Sequence, residues 1–221
     1  GGQDQHVENL CSGLVVAALL VGDGACQTAL QIQEGVRARL ASGPVRCAVT
    51  CAADGSSATQ LEHLFFSKDR THPSPATFDN CTCCVVRPHA VIAGHTGKII
   101  DHIIKQGYEV SALQLFKLER SMSEEFLEVY KGVVPEFPDM VEQLCSGACV
   151  AMEVRAENAV QTFRETAGPW DVEIAREIRP NTLRARFGKS RIMNAVHCTD
   201  LPEDGILESQ YFFEVLQSSQ Y

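Results

Sequence analysis

The chain lacks any long apolar run: its longest, the eight residues Leu14 to Val21, falls far short of the ~20 that a membrane-spanning helix needs. It is also poor in positive charge, with 19 Lys and Arg against 28 Asp and Glu and a net charge of -9. Neutralising phosphates takes a basic face, so neither non-specific nucleic-acid binding nor an acidic membrane surface is an expected partner, although a local basic pocket is compatible with this balance. The start, Gly1-Gly2-Gln3-Asp4-Gln5, has neither the basic opening nor the apolar stretch of a secretory signal, and reads as a point partway into a longer protein. Without such a signal the sequon Asn80-Cys81-Thr82 is a chance match. The ten cysteines lack a second CxxC or a His pair at zinc-finger spacing, so no metal site is expected. At 221 residues a core forms without disulfide staples, and the cysteines read as small buried hydrophobes.

What the sequence does contain is an internal repeat. Val36-Arg37-Ala38-Arg39-Leu40 through Cys47-Ala48-Val49-Thr50 aligns without gaps on Leu183-Arg184-Ala185-Arg186-Phe187 through Asn194-Ala195-Val196-His197, at an offset of 147. Leu64-Phe65-Phe66 meets Tyr211-Phe212-Phe213 at the same offset, and Leu10-Cys11-Ser12-Gly13 meets Leu144-Cys145-Ser146-Gly147 at 134. The first copy thus starts halfway through the unit. Residues 1–66 read as half a domain, 67–80 as a polar, proline-bearing linker, 81–216 as a complete copy and 217–221 as a tail. Half a fold cannot bury both faces of its strands, so the missing half is expected before residue 1 or on another chain.

In the complete copy, Cys83 to Arg87 reads as a buried strand ending at Pro88, Ile92 to Lys105 as a helix stopped by Gly107, and Tyr108 to Leu118 as a strand. Ser121-Met122-Ser123-Glu124 is a capping-box pattern opening a helix through Tyr130, and Phe137 to Leu144 is helical. Cys149 to Val154 is a strand, Asn158 to Thr166 a helix, Arg191 to Val196 a short strand, and Pro202 to Val215 holds a last helix. The order predicts an α+β fold of the ferredoxin-like βαββαβ type.

His197 follows the last predicted strand, and Arg164, Arg176, Arg179, Arg184, Arg186 and Arg191 precede it within 33 residues. Guanidinium forks suit phosphate oxygens and a histidine can carry a phosphoryl group. The alternative is a structural histidine, with arginines solvated or paired to Glu165, Glu173 and Glu177. Composition leaves both open. The motifs Val86-Arg87-Pro88-His89-Ala90, Cys145-Ser146-Gly147, Asn158-Ala159-Val160, Pro180-Asn181-Thr182-Leu183-Arg184 and Asn194-Ala195-Val196-His197-Cys198-Thr199-Asp200 resemble the signatures of nucleoside diphosphate kinases over about residues 82–216. His89 and the run His197-Cys198-Thr199-Asp200-Leu201-Pro202 look most like a ciliary branch of that family with two kinase-like domains in tandem.

The resemblance implies a ping-pong transfer in which His197 takes the γ-phosphoryl of ATP or GTP and passes it to a diphosphate, with Mg²⁺ arriving on the nucleotide. It implies Glu208 as the group orienting the catalytic His197, and nucleotide contacts from Arg87, Phe137, Arg164, Arg184, Asn194 and Thr199. Arg87 stands in place of the family's Lys, Phe126 in place of a Tyr, Trp170 in place of a phosphate-binding Thr, and Glu136 falls where the base-stacking Phe would be, with Phe137 beside it. The first copy has Thr50 for His197, Cys47 for Asn194 and Leu61 for Glu208, so it can only be scaffold. Two expectations follow: a mainly structural protein of the ciliary axoneme, inside doublet microtubules against tubulin and with residual phosphotransfer, or an active cytoplasmic kinase. The same resemblance allows attachment to γ-tubulin complexes.

Overall fold

The computed structural model describes residues 15–43, 46–66 and 74–217, with the single positions Gln5, Glu8 and Ser12. Residues 67–73 of the expected linker, the tail beyond Gln217, and Leu10, Cys11 and Gly13 of the repeat lie outside the described residues. The chain forms two compact units, Gly1–Pro73 and Ser74–Tyr221.

The second unit is a four-stranded antiparallel sheet covered on both faces. Its strands are β1 (Cys81–Val86), β2 (Glu109–Lys117), β3 (Ala148–Arg155) and β4 (Val196–Cys198), in the order β2-β3-β1-β4, which agrees with the ferredoxin-like expectation. β1 is buried at every position because both its faces are covered, so apart from Thr82 its sequence is apolar on both faces. Cys83 and Val85 face one cluster with Phe116, Met140, Leu144 and Phe212. Cys84 and Val86 face the other with Ile99, Ile103, Phe163 and Leu183. Ile99 and Ile103 stand one helical turn apart and are fully buried, each contributing about 2–3 kcal/mol of apolar transfer.

Three expectations change. The predicted helix Ile92–Lys105 is two, Pro88–Ile92 and Thr96–Lys105, because Gly94 takes a left-handed φ of 69° between them. The capping box at Ser121 does not form: that helix runs Arg120–Phe126, Glu119 at its start caps nothing, and Arg120 Nε pairs instead with Glu124 at 3.0 Å. A 3-10 turn, Glu128–Tyr130, takes the rest of the predicted span. The strand predicted at Arg191–Val196 is only Val196–Cys198, since Ala195 has φ 73° and cannot continue an extended chain. His197 therefore sits inside β4, paired with Val85 of β1.

The helices Ala25–Leu40 and Gly55–Phe66 belong to the first unit. Ala25-Cys26-Gln27-Thr28 matches Ala159-Val160-Gln161-Thr162 at the offset of 134, while Val36 onward matches at 147. One 16-residue helix thus replaces the three helices Ala159–Ala167, Val172–Ile178 and Leu183–Phe187. Pro180, which separates the last two, has no counterpart in it. Residues 15–21, the counterpart of buried β3, form no regular structure, and Val16 and Val21 are 96% and 92% exposed.

Candidate functional site

The site is built where β1 and β4 lie side by side. Ala195 turns the chain into β4, and the next residues point His197 into the sheet face under Phe126, whose ring meets the imidazole edge-on at 4.8 Å. His197 is 2% exposed, and its Nε2–H donates to Glu208 Oε2 at 2.7 Å. Fixing the proton on Nε2 leaves the Nδ1 lone pair free, and Nδ1 is buried without a partner. Glu208 comes from the helix Asp204–Gln210 and is itself held by Thr199 Oγ1 at 2.9 Å, which accepts from the Cys83 backbone N at 3.1 Å. A nucleophile, an orienter and a group that holds the orienter thus stand in one line.

Around this line the polar atoms are unusually lonely. Asn194 is fully buried, with neither Oδ1 nor Nδ2 hydrogen-bonded, and Arg87 Nε is also unpartnered. An unmet buried polar atom costs about 1–3 kcal/mol, which makes Asn194 and Arg87 candidate ligand contacts. Arg87 is 1% exposed, and burial followed by the nearby Arg184 charge pulls its pKa down to about 10. The guanidinium meets no carboxylate among its hydrogen bonds; its Nη1 donates only to Gln143 Oε1, at 3.2 Å.

The other residues singled out in the sequence are placed less simply. Arg184 is buried, but its fork is occupied by the Val196 carbonyl at 3.2 Å, the Gly168 carbonyl at 2.9 Å and Cys198 Sγ at 3.5 Å, and Trp170 lies 5.6 Å from it. Gly168 sits at φ 85° against the Thr182 side chain, leaving no room for a Cβ, which is what lets its carbonyl reach Arg184. Arg164 is half exposed and donates to the Asp200 carbonyl, with the Asp200 carboxylate 3.7 Å away. Thr199 spends its hydroxyl on Glu208 and β1. Phe137 opens the helix Phe137–Cys145 and packs half-buried against the core, while neighbouring Glu136 pairs with Arg191 at 3.4 Å.

Two functional neighbours escaped the sequence reading. Tyr130 donates to Asp200 Oδ2 at 2.5 Å, and burial followed by that bond pushes its pKa up strongly. Gln143 bridges Arg87 and His89. Neither belongs to a motif; both are brought in by helices distant in sequence. Among the described residues no cluster of three or more metal-ligating side chains exists, and the nearest carboxylates, Glu208 and Asp200, are already engaged. No described helix is long and apolar enough to cross a membrane.

Residues 80–217 match the family model described as nucleoside diphosphate kinase. A rat protein described as nucleoside diphosphate kinase homolog 7 is 45% identical over 230 aligned positions, covering 97% of this chain and 58% of the relative. The mouse protein of the same description is 54% identical over 164, covering 74% and 42%. The chain therefore spans about half the length of these two relatives. A nucleoside diphosphate kinase of Aquifex aeolicus is 37% identical over 136 residues, 62% of this chain and 95% of that protein. The solved structure of an Aquifex aeolicus nucleoside diphosphate kinase superposes with a TM-score of 0.59 at 36% identity, over 62% of this chain and 96% of the other.

Proposed function

Because this chain belongs to the nucleoside diphosphate kinase family, we propose that its second unit retains histidine phosphotransfer at a reduced rate, and that its main role is structural, as a packing module of the ciliary axoneme. The observation that carries the chemistry is the free, buried Nδ1 of His197, held in register by Glu208 at 2.7 Å. Its lone pair attacks the γ-phosphorus of a nucleoside triphosphate, the bond to the bridging oxygen breaks, and the diphosphate leaves; a second diphosphate takes the phosphoryl group back. Glu208 holds the Nε2 proton throughout and stabilises the ring as charge develops on it. Arg87 and Asn194 supply the unmet donors that would meet phosphate and sugar oxygens. Transfer of this kind depends on positioning and charge neutralisation. In this reading Mg²⁺ arrives as part of the nucleotide substrate, bound mainly to its phosphates.

What restrains the rate is the cover. Phe126 lies on His197, and Trp170, its ring centroid 5.8 Å from that of Tyr130, covers Arg184. A nucleotide has to displace these aromatics and the carbonyls that occupy Arg184. This cost, together with a first copy that carries Thr50 in place of the histidine, supports a protein kept for its shape, seated against tubulin in doublet microtubules.

Incubation with γ-labelled ATP tests the chemistry: the expected product is an acid-labile, alkali-stable phosphohistidine, and absence of label at millimolar ATP would sink it. Extraction of cilia tests the structural role. The protein is expected to resist detergent and high salt with the doublets; release with the soluble matrix would overturn that placement.

A further inference from the structure

After β1 the chain places Arg87 and His89 on either side of Gln143. Arg87 Nη1 donates to Gln143 Oε1 at 3.2 Å, Gln143 Nε2 stands 3.2 Å from His89 Nδ1, and the Ala195 backbone N–H points at His89 Nε2 from 3.3 Å. Burial first, then the charges of Arg87 and Lys189 and the neighbouring His95, pull the His89 pKa down to about 4, so the ring is neutral at pH 7 and carries one proton.

One proton cannot satisfy this chain of contacts. While Gln143 turns its oxygen to Arg87, its NH₂ faces Nδ1, which must be the acceptor; the proton then lies on Nε2, where it opposes the Ala195 N–H. With the amide reversed, Nδ1–H donates to the Gln143 oxygen and Nε2 accepts from Ala195, but the NH₂ now opposes Arg87. Arg87 and Ala195 are both satisfied only when Arg87 donates elsewhere.

We propose that His89 is a positioning residue for phosphotransfer: when Arg87 leaves Gln143 for an anionic phosphate, the amide reverses, the ring exchanges its Nε2 proton with solvent for one on Nδ1, and Nε2 clamps the Ala195 N–H. The clamp fixes the Met193–Ala195 segment, which carries Asn194 and leads to His197. The link to phosphate rests on the phosphotransfer reading above; the tautomer change does not.

Nitrogen-15 NMR of the His89 ring in the whole chain reads the tautomer. The proton is expected on Nε2 in the free protein and on Nδ1 in Arg87→Met and in Gln143→Glu, whose carboxylate only accepts. The same tautomer in the free protein and both variants would overturn the proposal. In single-turnover labelling, His89→Ala is expected to slow phosphorylation about tenfold with nucleotide affinity unchanged, and His89→Asn, whose side-chain oxygen can accept from Ala195, to recover part of the loss. Weakened affinity at an unchanged rate would also overturn it. If the parent chain takes no label, the phosphotransfer reading falls, and the Arg87→Met spectrum still decides whether the three side chains are linked.

Discussion

At Ala48 and at Ala195, equivalent positions of the two copies, the backbone enters the left-handed region with φ of 64° and 73°, at a cost of about 1–2 kcal/mol for a residue with a Cβ. Just after each, an arginine closes the turn: Arg37 Nε donates to the Val49 carbonyl at 2.8 Å, and Arg184 Nε to the Val196 carbonyl at 3.2 Å. The strained turn and its arginine thus persist in a copy that has Thr50 for the nucleophile, Leu61 for its orienter and Cys47 for the buried Asn. The arginine is first of all a clamp on the turn. In the second copy three carbonyl and sulfur contacts hold the fork; in the first, Arg37 adds only Thr50 Oγ1, at 3.4 Å.

Several measurements would break or sharpen this contrast. The largest effect belongs to the nucleophile: His197→Ala is expected to abolish all phosphohistidine label, and Thr50→His to create none, because the first copy has no equivalent of Glu208. Label on Thr50→His in a His197→Ala background would show the copies to be chemically closer than their contacts imply. Next is the clamp. Arg184→Ala leaves the Val196 and Gly168 carbonyls unpaired and is expected to cost about 2–3 kcal/mol in urea unfolding of the second unit, against under about 1 kcal/mol for the more exposed Arg37→Ala. Trp170→Thr, which uncovers Arg184, is expected to raise the labelling rate about tenfold, roughly 1.4 kcal/mol.

The smallest effect is acid sensitivity. Glu153 is buried, which pushes its pKa up, but donors from Ser111, Thr77 and Phe78 outweigh burial and hold it below the ordinary 4.5. A lowered folded pKa gives stability that is complete above 4.5 and fades as pH falls through the folded value. The first copy has Leu19 at this place, so the second unit alone should lose this increment in acid, and Glu153→Gln should flatten its acid limb in a pH series of thermal melts.

The motif positions carried much of this in advance. The ferredoxin-like fold was legible in the succession of elements, whereas His197 and Glu208 were singled out by the family resemblance, and the structure puts the two in contact. Gly94 broke a helix whose apolar periodicity ran straight through it, and Ala195 ended a strand that composition would have extended. Neither conformation is written in side-chain pattern. Gln143 and Tyr130 were invisible for another reason: their partners, Arg87, His89 and Asp200, are 54 to 70 residues away. The fusion of three helices into one in the first copy could be read only once Pro180 was seen to separate two of them.

Glu153 also says where this unit can be pulled. Its Oε1 accepts from the Thr77 N–H at 2.7 Å, the Thr77 hydroxyl at 3.1 Å and the hydroxyl of Ser111, at the bulge in β2, at 2.5 Å, while Oε2 accepts from the Phe78 N–H at 2.9 Å. Tension on the chain before Thr77 is therefore delivered to β3, flanked by β1 and β2, and shared across two ladders in shear. A loose strand at the rim would peel one bond at a time; an anchor on a central strand is expected to engage both neighbouring ladders.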